Sequence, residues 1–210
     1  MEPVVVAWCG PGAHPTVWPF DVADAGWDAV RVIGIDGQTD RPAARRAIRA
    51  ALHAALVQWS GLPLDRIALH ADADTGQAPY ALLAHHDGRV QRVGLAITHD
   101  GALSLAAFGP NGAVGVDVMQ VVDTPDRQAV GRDYLGPVAV AALEAVPAPL
   151  RAAAFARLWS EHEARLKCLG LGLAEWDAAL ARRLAGCRTR PLVVPDGYAG
   201  HVALPGSPIG

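Results

Sequence analysis

The chain has 210 residues, 51% hydrophobic and 19% charged, with a formal net charge of −3. That composition is globular, and the length suits one large domain or two halves of about 100 residues, with core enough to need no staples. The slight acidity argues against a nucleic-acid module, because no basic stripe is present to displace counterions from phosphates.

Residues 3–8 read as a strand and 29–34 as a second. The N-terminal apolar run lacks basic residues and is too short for a secretory signal. The alanine-rich stretch 137–158 is interrupted by Glu144, Pro147, Pro149, Arg151 and Arg157, so it does not reach the ~20 apolar residues of a membrane span. Cys9, Cys168 and Cys187 are odd in number and widely spaced. They predict neither a disulfide framework nor a zinc knuckle, and a reducing, cytoplasmic setting is expected.

Asp40-Arg41-Pro42 opens a helix, with Asp as N-cap and Pro in the first turn, over Ala43 to Trp59; Gly61-Leu62-Pro63 ends it. Short β-like runs follow at 66–70, 79–84, 93–98, 102–108 and 113–118. Asp87-Gly88, Asp100-Gly101 and Pro110-Asn111-Gly112 are the turn signals between them. Thr124 caps a helix from 125 to about 132, a second helix covers 137–146, and a long one runs from Pro149 to Leu169 before Gly170. Strand character returns at 191–195 and 198–204. Each half thus has a helix followed by strands, which predicts an α+β fold, internally duplicated about a seam near residue 110.

Three local patterns are weaker than they look. Gly109-Pro110-Asn111-Gly112-Ala113-Val114-Gly115 spaces its glycines like a dinucleotide loop, but a strand follows where phosphate binding needs a helix N-terminus, so it reads as a hairpin turn. His85-His86-Asp87 reads as a solvated loop tip rather than a metal site. His162-Glu163 begins like a zinc-protease helix, but Leu166 stands where the second histidine would fall.

Three other elements cohere: Thr98-His99-Asp100-Gly101 at a strand end; Gly115-Val116-Asp117-Val118-Met119-Gln120, with an acid inside an apolar strand; and Trp159 to Gly170 on the long helix. Trp159, Glu163 and Lys167 recur at i, i+4, i+8 and share one helix face. Of 18 basic residues, 17 are arginine and Lys167 alone is lysine, so it stands where a compact ammonium has a purpose. Glu163–Lys167 also reads as an ordinary surface pair. Asp117 among valines needs a partner, because an unpaired buried carboxylate is costly; a divalent cation shared with Glu163 would supply it.

Thr-His-Asp-Gly, then Gly-Val-Asp, then Trp-Ser-Glu-His-Glu-Ala-Arg-Leu-Lys resembles, in residues and order, the 4′-phosphopantetheinyl transferase superfamily, and most of all its two-lobed surfactin-type branch. The likeness covers about 40 to 204. It implies two similar α/β lobes, 1–110 and 111–210, related by pseudo-twofold symmetry, each with a small antiparallel sheet on a long helix and with the active site between them. It implies transfer of the phosphopantetheine arm of coenzyme A to a serine of an apo acyl, peptidyl or aryl carrier protein, releasing 3′,5′-ADP. Asp117 and Glu163 would hold Mg²⁺, or Mn²⁺ in its place; Glu163 would be the base; Lys167 would face the phosphate in flight. Thr98, His99 and one or more of Arg45, Arg46 and Arg49 would meet the coenzyme A 3′-phosphate. Gly76-Gln77-Ala78-Pro79 is similar to the turn beside the nucleotide, which places Gln77 there. A monomer is expected, since one chain would form the whole cleft.

The chain departs from that pattern at Met119, where many relatives carry a second acid; at His162, where a lysine is usual and a phosphate contact would become pH-dependent; and at Gln77, which replaces a cation. Met119 and His162 support the competing reading of a non-catalytic relative that binds coenzyme A or a carrier protein as a regulatory partner. Arg127, Arg132, Tyr134 and Leu135, between the two acid motifs, are candidates for carrier docking, though a solvated helix face explains each of them as well.

Overall fold

The computed structural model describes residues 3–9, 27, 29–71, 78–109 and 112–206. Among them are two sheets and five helices, a mixed architecture consistent with α+β. The strands are β1 (Val4–Val5), β2 (Ala7–Trp8), β3 (Arg31–Ile35), β4 (Ile67–His70), β5 (Tyr80–Ala84), β6 (Val90–Asp100), β7 (Leu103–Gly109), β8 (Gly115–Gln120), β9 (Cys187–Val193) and β10 (Tyr198–Pro205). The helices are α1 (Arg41–Ser60), α2 (Arg127–Val130), α3 (Pro137–Ala145), α4 (Arg151–Cys168) and α5 (Ala178–Ala185).

Helix α1 forms where its punctuation predicts. The Asp40 carboxylate accepts the Ala43 amide at 2.8 Å, and Gly61, at φ 69°, returns its N–H to the Val57 carbonyl. Its buried stripe of Ala44, Ile48, Leu52, Ala55 and Leu56 covers one face of the six-stranded sheet, meeting Ile33, Leu83, Val93, Leu95 and Phe108. Each fully buried leucine there contributes about 1.5–3 kcal/mol. The other face of that sheet packs on the second sheet through Val32, Ala96, Leu105 and Ala107 against Val116, Val118, Val202 and Leu204. Helix α4 covers the far side of the second sheet, so the order of layers is α1, six strands, four strands, α4.

Period-2 alternation then fixes the chemistry of β8: Val116 and Val118 point between the sheets, while Gly115 and Asp117 face the α4 side. A Cβ on Gly115 would collide with the Ala164 carbonyl and the Cys168 amide, so glycine lets the strand lie directly on the helix backbone.

The sheets run β2-β3-β7-β6-β5-β4 and β1-β9-β10-β8. Neither is wholly antiparallel, because β2 pairs parallel with β3 and β1 pairs parallel with β9. The single strand expected over 3–8 is thus divided between the sheets, with Val6 in the core between them. Gly109 to Gly115 does not join a hairpin: β7 pairs with β3 and β6, whereas β8 pairs with β10 in the other sheet. The chain crosses over instead, and the Gly112 carbonyl covers Gly94, where a Cβ would clash with it. His85 to Asp87 does form the β5–β6 loop tip, closed by the His85 amide on the Arg89 carbonyl. Helix α5 was unforeseen; Asp177 caps it by accepting from the Ala179 and Leu180 amides.

Candidate functional site

Four elements border one cleft of about 430 Å³: Arg41 and Arg45 from α1, Ile97 to Asp100 from β6, Asp117, Val118 and Met119 from β8, and Trp159, Glu163 and Lys167 from α4. The i, i+4, i+8 face of α4 lines the cleft as its spacing predicts. Its first residue, Trp159, is braced by Phe155 and Tyr134 with ring centroids 5.9 Å away in each case.

Asp117 is 6% exposed. Its Oδ1 accepts two hydrogen bonds, from Thr98 Oγ1 at 2.7 Å and from Lys167 Nζ at 2.6 Å. Lys167 therefore crosses from α4 to β8 rather than pairing along its helix with Glu163. Burial pushes the Asp117 carboxyl above its usual range, with Lys167 and Thr98 opposing the shift. Glu163 is raised too, first by burial and then by the Asp117 charge, with Lys167 again opposing. Two desolvated carboxylates thus stand beside one ammonium, an excess of one acidic group on the β8–α4 side of the cleft, opposite Arg41 and Arg45. That excess fits a divalent cation of the Mg²⁺ kind, which takes one or two protein carboxylates and completes its shell with water and phosphate oxygens. Among the described residues no group of three or more His, Cys, Asp or Glu is arranged to hold a metal alone, so an ion here would draw its remaining ligands from water or substrate.

Thr98 is itself buried and its hydroxyl is given to Asp117. His99 borders the cleft, with Nδ1 fixed at 2.8 Å from the buried Ser104 hydroxyl. The turn after them is latched to the other sheet: Asp100 Oδ2 accepts the Gln120 amide at 2.6 Å, and the Tyr198 hydroxyl accepts the Ala102 amide. Arg45 reaches the cleft together with Arg41, one turn earlier on the same face, which sequence reading missed. Arg46 and Arg49 are not among its lining residues, and Arg49 Nη2 donates to the Ala71 carbonyl at 2.6 Å. Gln77 lies outside the described residues.

His162, where the resemblance puts a phosphate contact, is not among the residues that line the cleft. It lies about 100° around α4 from the cleft-facing stripe and is 8% exposed, beside Trp159, with Nε2 unpartnered. Burial, and secondarily Arg165, hold its pKa below the usual histidine range. Of the docking candidates, Arg127 is paired with Asp123 and Tyr134 packs on Trp159.

A family model described as the 4′-phosphopantetheinyl transferase superfamily matches residues 113–191. The match takes in Asp117, Glu163 and Lys167, and supports a transferase activity in general; Arg41, Arg45, Thr98 and His99 lie before it. No curated protein matches the chain. No helix among the described residues is long and apolar enough to cross a membrane.

Proposed function

We propose that this protein transfers the 4′-phosphopantetheine arm of coenzyme A to a serine of an apo carrier protein and releases 3′,5′-ADP. The observation that carries the reading is the convergence of Asp117, Glu163 and Lys167, all inside the matched segment, with Arg41, Arg45 and His99 around one cleft.

Arg41 and Arg45 supply a positive wall for the nucleotide phosphates and His99 a hydrogen-bonding ring beside it, so the half comprising 1–110 carries nucleotide contacts and the half comprising 111–210 carries the reacting groups. Asp117 and Glu163 would hold Mg²⁺, which when bound offsets pyrophosphate charge and polarises the phosphorus. Thr98 keeps Asp117 in register by occupying Oδ1. Glu163, whose raised pKa makes it a better proton acceptor than an ordinary carboxylate, takes the proton of the serine hydroxyl as its oxygen attacks phosphorus and the bond to 3′,5′-ADP breaks. The Lys167 ammonium meets the charge developing on the transferred phosphoryl oxygens. One chain brings all of these groups to the cleft, so it acts as a monomer.

The test is intact-mass measurement of apo carrier proteins, from fatty-acid, polyketide and nonribosomal-peptide systems in parallel, incubated with the protein, coenzyme A and Mg²⁺. Gain of one phosphopantetheine group on the carrier serine is expected. Coenzyme A binding by calorimetry with no mass gain on any carrier would overturn transfer and leave the non-catalytic, regulatory reading, which Met119 in the cleft favours.

A further inference from the structure

We propose that Cys168 and Cys187 are a reversible dithiol–disulfide site, oxidised by hydroperoxides, that staples the end of α4 to the start of β9. The sequence places these cysteines 19 positions apart with no motif between them, but the fold brings them together. Cys168 is the last residue of α4 and Cys187 the first of β9, and both are buried in one small cluster with Ala164 and Ala203. The contact of α4 with β9 is what brings both side chains into that cluster. The other buried members of the cluster, Ala164 and Ala203, are small, and Leu169 packs against it from the edge.

The pair is also chemically unequal. The nearness of Cys168 lowers the Cys187 thiol below its usual pKa against the effect of burial, with the Arg165 guanidinium adding to the lowering, while Cys168 is raised by the same neighbour and by burial. Cys187 is therefore the thiolate that attacks, and Cys168 the thiol that resolves. In the first step the Cys187 thiolate attacks a peroxide oxygen, the O–O bond breaks, and a sulfenic acid and one water are left. In the second the Cys168 sulfur attacks the sulfenic sulfur, the S–O bond breaks, the S–S bond forms and a second water leaves. With hydrogen peroxide the balance is two thiols plus H₂O₂ giving one disulfide and two waters. Cys9 serves as an internal control: it is buried in the other core, and burial alone raises its pKa.

The experiment treats the reduced full chain with limiting hydrogen peroxide, alkylates it under denaturing conditions and maps tryptic peptides. Joined peptides 168–182 and 184–188, two hydrogens lost from the intact mass, reversal by dithiothreitol and a Tm higher by roughly 5–10 °C are expected. Full alkylation of all three thiols after treatment, sulfinic acid at Cys187 without the joined peptides, or a disulfide to Cys9 would overturn the proposal. In Cys168→Ala the sulfenic acid has no resolving partner, so dimedone should label Cys187. Labelling of Cys9 in its place would equally overturn the assignment.

Discussion

Replacing Lys167 by Met removes an ammonium from a carboxylate that is almost wholly out of water. Asp117 would keep a single donor, Thr98 Oγ1, on Oδ1. Breaking a buried pair from one side costs about 3–5 kcal/mol. The Lys167 side chain is 29% exposed against 8% for Asp117, and water entering along the lysine's path screens part of that, so a loss of about 2–3 kcal/mol is expected for Lys167→Met. For a chain of this size that lowers Tm by about 4–12 °C. The sign of the pH dependence follows from Asp117. Its folded pKa is already raised, and loss of Lys167 raises it further, so the folded variant binds a proton more tightly than the unfolded chain does. Its deficit is therefore full at neutral pH and shrinks as acidification neutralises the carboxyl. Urea titrations of wild type, Lys167→Met, Asp117→Asn and the double variant close a thermodynamic cycle, in which the double variant should be more stable than the two single losses predict, with a coupling of about 2 kcal/mol. A coupling below about 0.5 kcal/mol, or a Lys167→Met deficit that grows on acidification, would refute the reasoning.

Four further outcomes are expected. Glu163→Gln should lower turnover by about 10²–10⁴-fold with Tm unchanged; near-normal turnover in the carrier assay would remove Glu163 as the base. Arg45→Ala should raise the KM for coenzyme A about fivefold while Arg46→Ala leaves it within twofold, and equal effects would mean that α1 presents a different face to the substrate. Met119→Glu should lower the Mg²⁺ concentration for half-maximal rate, measured by titration; an unchanged requirement would take position 119 out of the ion's surroundings. His162 and His201 both have folded pKa values held down by burial, so the unfolded chain binds their protons first and stability falls as pH drops below about 6.5. His162→Leu should make that fall in the urea midpoint shallower, and an identical slope would mean that His162 takes up its proton without cost to the fold.

What could be read beforehand was local. Asp40, Pro42 and Gly61 delimit α1 by cap and turn chemistry, and the i, i+4, i+8 recurrence of Trp159, Glu163 and Lys167 places three cleft residues on one face without knowledge of what opposes them. Arg41 was within reach, being four residues before Arg45, but which arginines meet β6 depends on how α1 is rotated on the sheet. That rotation is set by Ile48, Leu52 and Leu56 packing on distant strands. The crossover at Gly109 to Gly115 was misread because a glycine-rich turn between two strands has the same local chemistry whether or not the strands pair. What separates the cases is the preference of β8 for β10, more than 80 residues later. The burial of His162 is not legible from its place beside Glu163, because it depends on what packs against that side of α4. The meeting of Cys168 with Cys187 was invisible for the same reason as the crossover: it follows from the contact of α4 with β9.

The divided N-terminal strand has a consequence for synthesis. Val4 and Val5 join the second sheet only by lying beside Leu192 and Val193, each made 188 positions later. Until then β1 has no lateral partner, while β2 can already dock on β3. Strand β1 must therefore wait as an open edge until β9 has been made, and closing so long a loop comes late in folding. Pulse-labelling hydrogen exchange during refolding should find the amides of β9 and β10 protected after those of β5 to β7. Chaperone demand in the cell should fall on that interval, when the first core is built and the second sheet still lacks β9 and β10, its two central strands.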